Sequence, residues 1–290
     1  MKRILGRVVS IVAVAIVASA AAPACATNDE SIYIRAVLAP PSTKQNGQCV
    51  FTNDPQQAAL FEGLLDVGVR DSYTAVLHVG NQMIARGDPN APRAESNRIH
   101  INGAVIRVTD PNNNALAGCP KDCEFTSFAD GAVADPQTAN TPSFIAASLI
   151  AIDEPTANTI AGIVTGPSST TLVIANIKVF GKTLGGVDVE SGEFRFPIRA
   201  CNGCSVKFTN ADYAPRPPTC ARDVNATASA STEGGCFVGQ DAPTNCEDCL
   251  DRLVCKPCTS DQDCAFDRGA PVNGRCNNAG GATPANCVRR

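Results

Sequence analysis

The chain has 290 residues, of which 44% are hydrophobic and 18% are charged, so one or two domains with a sizeable core are expected. The formal net charge is −4, and no basic stripe with interleaved aromatic residues occurs, which argues against a nucleic-acid partner. The 23 glycines and 20 prolines are widely scattered, which favours many turns and few long helices.

The first 24 residues have the pattern of a secretory signal peptide. Lys2, Arg3 and Arg7 form a positive region, and residues 8–22 form an apolar run that ends in small residues. This run is shorter than the ~20 residues that a membrane-spanning helix needs. We therefore expect residues 1–24 to direct export and to be removed.

Two processing routes are open after the signal. Cleavage by the ordinary signal peptidase at the Ala-x-Ala site of residues 22–24 gives a secreted or periplasmic protein. Alternatively, Ala22-Pro23-Ala24-Cys25 resembles a bacterial lipobox, and this resemblance implies that Cys25 is acylated and becomes the new N-terminus. Acylation uses one of the 15 cysteines and leaves an even number to pair. Ala26, in place of Asp, is similar to the pattern that directs such lipoproteins to the outer membrane. We expect a lipid anchor at Cys25 with residues 25–31 as a tether.

Taken in order, the next segments alternate like strands. Residues 32–38 read as the first strand. Residues 60–69 are ambiguous: Asp54-Pro55 suits the cap of a short helix through residues 57–61, whereas the alternation of Leu65, Val67 and Val69 indicates a strand at the end of the run. Between Val69 and Asp110, two strands joined by a polar loop organise the chain. One buries Tyr73, Ala75, Leu77 and Val79, and the other buries Ile99, Ile101, Ala104, Ile106 and Val108. In the second, the phase slips at Asn102-Gly103, which predicts a bulge.

The later segments are also strand-like. Residues 144–152 are apolar in both phases and suit a helix or a buried strand, whereas residues 171–184 are β-branched and suit a strand. Residues 194–198 alternate, and Pro197 suggests an edge position. Short strands with regular turn signals predict an all-β fold, an antiparallel immunoglobulin-like β-sandwich over residues 32–206. Because the Trp of true immunoglobulin domains is missing, this prediction covers architecture only.

From residue 207 to 290 the chain is rich in cysteine and poor in apolar periodicity, which predicts an irregular region held by disulfides. We expect disulfides at Cys49, Cys119, Cys123, Cys201, Cys204, Cys220, Cys236, Cys246, Cys249, Cys255, Cys258, Cys264, Cys276 and Cys287. Three C-x-x-C pairs occur, but their spacing differs from a zinc ribbon and no histidine lies near them. A thioredoxin-like motif would need a strand–helix context. No metal and no cofactor are therefore expected, and the connectivity is left open.

The segment from Cys255 to Cys276 resembles the Cys- and Asp-rich modules at the C-termini of bacterial surface lipoproteins. The matching residues are Cys258, Asp261, Asp263, Cys264 and Cys276. The preceding runs from residues 180 and 236 look like elements of the same uncharacterised cysteine-rich lipoprotein group. This resemblance implies location and class, and no activity.

The candidate chemical residues have non-catalytic interpretations. His78 and His100 lie in predicted strands, opposite in phase to the clearest apolar residues, and are expected to face solvent; a catalytic base or a metal ligand is the alternative. Asp110, Asn112 and Asn114 are spaced like calcium ligands, but Ala115 and Lys121 replace the required Gly and Glu, so an Asx turn is expected.

The sequence thus predicts no catalytic residue. It predicts a lipid-anchored protein of the outer membrane or cell surface, held to the membrane through its N-terminal lipid. Its role is structural or interactive, in adhesion or assembly, with an unidentified protein or carbohydrate ligand. A secreted module that binds a small ligand or carbohydrate is the alternative, and a hydrolase that uses a strand histidine is the least favoured.

Overall fold

The structure is a computed structural model that describes residues 31–41, 44–46, 48–85, 95–137, 141–164, 169–207, 220, 236–249, 251–256, 258, 264, 266–267, 270–271, 274–277 and 286–289. The expected signal peptide, the acylation site Cys25 and all but the last residue of the tether lie outside the described residues. Asp261 and Asp263 also lie outside them.

Within the described ranges, eleven strands build the body of the protein: β1 Ile32–Leu38, β2 Ala59–Leu60, β3 Gly63–Asp66, β4 Tyr73–Asn81, β5 Ile99–Thr109, β6 Glu124–Phe128, β7 Val133–Ala134, β8 Ser143–Ile152, β9 Thr170–Thr183, β10 Asp188–Glu190 and β11 Phe194–Cys201. Six short strands follow: β12 Val206–Lys207, β13 Thr244–Asn245, β14 Phe266–Asp267, β15 Ala270–Pro271, β16 Gly274–Asn277 and β17 Asn286–Arg289. The helical elements are α1 Glu154–Ile163 and the 3-10 turns Pro120–Cys123, Cys246–Cys249 and Leu253–Cys255.

Two sheets form a sandwich-like body, which confirms the all-β prediction. The first sheet has the strand order β2-β1-β4-β8, and the second has the order β3-β11-β9-β5-β6, with β10 paired to β9 and β7 paired to β5. Most pairs are antiparallel. The pair β3–β11 is parallel, so the second sheet is mixed rather than purely antiparallel.

The strands β4 and β5 organise the core from opposite sides. Each lies inside a different sheet, so the two consecutive strands face each other across the core instead of pairing. All nine side chains assigned to their buried faces are fully buried, as the alternation predicts; they are Tyr73, Ala75, Leu77, Val79, Ile99, Ile101, Ala104, Ile106 and Val108. Burial of alternate residues on both strands is what supplies the core.

The predicted bulge in β5 is confirmed. The register with β9 shifts between Ile101 and Gly103, so Asn102 is the extra residue. A side chain at position 103 would approach the backbone oxygen of Ser127 to 2.3 Å, because β6 lies close at this point. The bulge therefore changes the phase of the alternation in β5. It also brings the β5 backbone close to β6, which is possible because residue 103 is glycine.

The structure decides two open assignments and adds one helix. It also shortens a predicted strand, because β3 ends at Asp66 and residues 67–69 form a turn. The short helix that Asp54-Pro55 suggests at residues 57–61 does not form: the chain makes only a turn, in which the Gln57 amide donates to the Asp54 carbonyl over 3.0 Å, and then β2. The ambiguous segment 144–152 is the strand β8. The helix α1, which the sequence analysis does not predict, begins after Asp153, whose side chain accepts a hydrogen bond from the amide of Thr156 at 3.1 Å.

All 14 predicted disulfide cysteines are paired. The bridges are Cys49–Cys236, Cys119–Cys123, Cys201–Cys204, Cys220–Cys246, Cys249–Cys255, Cys258–Cys276 and Cys264–Cys287. Of the three C-x-x-C motifs, one forms its own bridge, at Cys201–Cys204. So many disulfides indicate maturation in an oxidising environment. Within the described residues, no helix has the length and hydropathy that a membrane span requires.

The cysteine-rich region is attached to the sandwich. Gln240 brackets Thr74, accepting from its amide at 2.8 Å and donating to its carbonyl at 2.7 Å. Asp241 accepts from the amide of Leu64 and from the hydroxyl of Tyr73, each at 2.8 Å. Cystine sulfur supplies much of the local core, since one buried cluster consists of Val69, Cys246, Cys249, Val254 and Cys255. Residues 239–249 and 251–255 thus form a stapled layer against one end of the sandwich.

Candidate functional site

A cleft opens at the side of the sandwich where β1 and β11 separate. A parallel bridge joins Ile32 to Ser191, and from there the two strands run in the same direction in different sheets. β1 pairs with β2 only at Val37 and Leu38, and β11 pairs with β3 only from Ile198 onward. Among the described residues, both strands therefore have a short unpaired edge that faces the gap.

The chain closes the far end of the cleft. β2 belongs to the first sheet and β3 to the second, and residues 61–62 connect them. Phe61 is 94% exposed at this rim, and Glu62 forms a surface ion pair of 2.7 Å with Arg199. Pro197 lines the cleft. It is the last residue of β11 before that strand starts to pair with β3 at Ile198, so it lies at a local edge of the sheet, as predicted.

The cleft is lined by apolar and cationic groups. Its volume is about 360 Å³, and its walls are formed by Arg35, Ala36, Leu38, Gln57, Ala59, Leu60, Phe61, His78, Phe194, Arg195, Phe196 and Pro197. Two arginines and no carboxylate belong to this lining. Arg195 forms no ion pair within the described part of the chain. A locally positive cleft on an acidic chain favours a partner with carboxylate groups.

Arg35 and His78 form one cluster at the inner wall. The Arg35 guanidinium carbon lies 5.4 Å from the centroid of the Phe144 ring, and the His78 ring stacks on the same ring at 4.5 Å. Nη1 of Arg35 donates to the carbonyl oxygen of Pro55 and lies 3.4 Å from Nδ1 of His78. Hence Arg35 is held in place by an aromatic face, a carbonyl and an imidazole.

His78 corrects one expectation, because it does not face solvent. Only 1% of it is exposed, since residues 49–57, here called the covering loop, pass over the outer face of β4. With Arg35 donating to Nδ1, the Nε2–H donates to the carbonyl of Asn53 at 3.3 Å. Burial lowers the pKa of His78, which favours the neutral ring. Both ring nitrogens are engaged by the protein, so His78 orients Arg35 and the covering loop.

His100 is exposed on β5, as predicted, and its Nδ1 lies 2.7 Å from Oδ1 of Asn102 on the bulge. The two histidines lie in strands of different sheets, and the structure does not bring them into one site. The expected Asx turn is also found: Oδ1 of Asp110 accepts from the amides of Asn112 and Asn114 at 2.9 and 2.8 Å. The Asn114 side chain also donates to Oδ2 at 2.9 Å, and this bond, together with the backbone bonds, lowers the pKa of Asp110.

A second cluster surrounds the fully buried carboxylate of Asp66, at the end of β3. It accepts from the amides of Gly203 and Ser205 at 2.6 and 2.9 Å, from the Ser205 hydroxyl at 2.8 Å and from the amide of Gly68 at 3.1 Å. Burial raises the pKa of Asp66, and these hydrogen bonds oppose the shift. A carboxylate oxygen of Asp66 and the Sγ atoms of Cys201 and Cys204 all lie within 4.8 Å of one another.

Potential metal ligands converge at two places in the described residues. One is the Asp66 cluster, and the other joins Cys258, Cys264 and Cys287. In both, every sulfur belongs to a disulfide and offers no thiolate. The arrangement is that of cross-links rather than of a thiolate metal site.

Sequence reasoning missed the residues that define these sites. Asp66 has a local signal, because it is a lone acid in an apolar run, Leu64-Leu65-Asp66-Val67. Asp241 and Arg195 have none, because their environment is created by segments far away in sequence.

Comparison with protein-family models and with curated proteins found no match for the chain. The class of protein is therefore defined by the structure alone. The chain is a disulfide-stapled, sandwich-like β protein with an open lateral cleft.

Proposed function

We propose that this protein is a lipid-anchored envelope or cell-surface protein with an interaction role in adhesion or assembly. The observation that carries the proposal is the pairing of all 14 cysteines from Cys49 to Cys287. It supports export, and it leaves Cys25 as the one cysteine without an assigned partner, in the lipobox-like sequence that follows the signal. Acyl chains at one terminus anchor a protein without a spanning helix.

The contact site in this proposal is the cleft between β1 and β11. Its two unpaired strand edges offer main-chain hydrogen-bonding groups to an extended segment, as in β-strand addition. Arg35 and Arg195 select carboxylate side chains, and Phe61 and Phe194 offer apolar contact. The partner is thus an extended acidic segment of another protein.

The alternatives receive less support. A neutral carbohydrate would bind through many hydroxyl groups, whereas Gln57 is the single amide side chain of the lining. A hydrolase would need a free base in a pocket. Both nitrogens of His78 are engaged, and His100 is exposed on β5 and does not line the cleft.

The anchor is tested by mass spectrometry of the mature N-terminus. We expect a peptide that begins at an acylated Cys25 and a membrane-bound protein, whereas a Cys25→Ser variant is released into the soluble fraction. An unmodified terminus at Cys25 or Ala26, with the wild-type protein soluble, overturns the anchor.

The cleft is tested with a synthetic peptide of alternating Val and Glu and a matched peptide of Val and Gln. We expect the Glu peptide to perturb NMR signals of β1 and β11, and Arg195→Glu to weaken its binding by about tenfold, because charge complementarity is reversed. Arg107→Glu is the matched control, since Arg107 lies on β5 outside the cleft. If both peptides bind with equal affinity, or if both variants lose the same affinity, the proposal of an acidic partner is wrong. If only a soluble glycan perturbs these NMR signals, the carbohydrate alternative is favoured.

A further inference from the structure

The disulfide Cys201–Cys204 differs from the other six in access. Cys204 is exposed, whereas the remaining paired cysteines are buried or half-buried. Its partner Cys201 is fully buried at the end of β11. An attacking thiolate must reach a sulfur along the disulfide axis, so the exposure of residue 204 favours attack at its sulfur, whereas the burial of Cys201 shields the other.

This bridge also contributes little as a staple. It spans a sequence separation of 3, the smallest of the seven, whereas Cys49–Cys236 spans 187. In the chain-entropy model, stabilisation increases with the length of the closed loop. The fold therefore loses little if this bond opens.

A proton-carrying group lies beside the withheld sulfur. The parallel register of β3 and β11 places Asp66 opposite Cys201. One of its carboxylate oxygens lies within 4.8 Å of both sulfurs. The hydrogen bonds from Gly203 and Ser205 fix this carboxylate under the turn that carries the two cysteines. Burial raises the pKa of Asp66, which makes its protonated form more accessible.

We propose that Cys201–Cys204 is a redox-active disulfide that exchanges with an exported dithiol protein, with Cys204 as the attacked sulfur and Asp66 as the proton relay for Cys201. A partner thiolate forms a bond to Sγ of Cys204, the Cys201–Cys204 bond breaks, and the electron pair leaves on Sγ of Cys201. Asp66 delivers a proton to this thiolate. The partner's second thiol, once deprotonated, attacks its own sulfur in the mixed disulfide and releases Cys204.

The net reaction converts the protein disulfide and a partner dithiol into a protein dithiol and a partner disulfide. Two electrons pass to the protein. The two partner thiols release their protons to solvent and Cys204 takes up one of them, while Cys201 takes the proton of Asp66, which is left ionised. The reverse exchange with a partner disulfide restores the bridge, with ionised Asp66 accepting the proton of Cys201. The acid–base group of this exchange is thus Asp66 of β3, which the C-x-x-C motif alone does not reveal.

The test uses the full mature protein with all disulfides formed. It is exposed to reduced glutathione, quenched by alkylation and mapped by mass spectrometry. We expect the first mixed disulfide on Cys204, and opening at least tenfold faster than that of Cys119–Cys123. That bridge is the matched control, because it is also short, and no carboxylate clusters with its two sulfurs in the described part of the chain.

The proton relay is tested separately. Asp66→Asn is expected to slow exchange about tenfold at neutral pH and to remove an inflection from its pH profile, whereas Ser205→Ala keeps the carboxylate and the inflection. The proposal is overturned if glutathione attaches to Cys201, or if the Cys201–Cys204 bond opens no faster than the Cys119–Cys123 bond. Both results are obtained with the wild-type protein. An unchanged rate and pH profile in folded Asp66→Asn overturns the role of Asp66.

Discussion

The hydroxyl of Tyr73 donates a hydrogen bond of 2.8 Å to Oδ2 of Asp241, across 168 positions of sequence. Tyr73 is fully buried in the sandwich, and Asp241 belongs to the cysteine-rich region. Burial raises the pKa of Tyr73, and the neighbouring Asp241 charge raises it further, so the phenol remains a donor. At the contact between the two regions, the Tyr73 hydroxyl therefore provides a hydrogen-bond donor to the Asp241 carboxylate.

Removing the Tyr73 hydroxyl should weaken this contact. Tyr73→Phe leaves a partly buried carboxylate oxygen with one donor fewer, and we expect a loss of about 1–3 kcal/mol in the free energy of unfolding. Denaturant unfolding with intact disulfides measures this loss. Tyr33→Phe is the control, because the Tyr33 hydroxyl makes no hydrogen bond within the described residues, and equal effects of the two changes would contradict the prediction.

The same carboxylate should affect the pH dependence of stability. Burial raises the folded-state pKa of Asp241 above its ordinary value of 3.8, although hydrogen bonds from Leu64, Gln240 and Tyr73 oppose the shift. The folded state then holds a proton that the unfolded state releases, so this contribution to stability is lost as pH rises from 3.8 through the folded pKa.

Thermal melts from pH 3 to 7 check this prediction. Wild type should lose stability relative to Asp241→Asn as pH rises through that window, because the amide does not titrate. A constant difference between the two proteins, or a difference of opposite slope, would count against it.

Gly63 should not tolerate a side chain. A Cβ at this position would lie 2.4 Å from the Tyr73 hydroxyl oxygen and 2.7 Å from the ring, which is buried and cannot move aside. We expect Gly63→Ala to cost about 1–3 kcal/mol in unfolding free energy. Gly162→Ala is the matched control: nothing lies within 4 Å of its Cβ, and in α1 it should stabilise by about 0.5–1 kcal/mol. A neutral Gly63→Ala would show that Tyr73 can repack.

The disulfides should differ in their contribution to stability. Cys49–Cys236 closes a loop with a separation of 187 residues, and Cys119–Cys123 closes one of 4. The chain-entropy model gives about 5 and about 2 kcal/mol for loops of these lengths. Paired Cys→Ser replacements, compared by calorimetry, should therefore show the larger drop in Tm for the first pair. The reverse order would mean that native contacts, rather than loop closure, set the effect.

Local pattern was sufficient where one face of a strand is buried and the period is clear. The core residues of β4 and β5, and the slip at Asn102-Gly103, follow from alternation alone. β8 could not be decided in this way, because it is apolar in both phases. Its free edge is covered from outside the sheet, where the amide of Ala146 donates to Oδ1 of Asn53 and that of Ile150 donates to Ser127.

His78 shows why the site itself was less predictable. Its polar phase in β4 indicates exposure, yet the covering loop buries it, and the Cys49–Cys236 bridge holds that loop. Cysteine spacing does not specify which partner each cysteine takes. The environment of Arg35 and the cleft therefore depends on tertiary contacts that no local window contains.

The bond between Cys49 and Cys236 also constrains how the molecule is made. A chain that crosses a membrane from its N-terminus presents residue 49 long before residue 236 emerges, and β3 must likewise wait for its parallel neighbour β11. Early cysteines remain available for wrong partners throughout that interval. Efficient maturation should thus depend on an isomerase in the receiving compartment, and a chain truncated before residue 236 should accumulate as mispaired species.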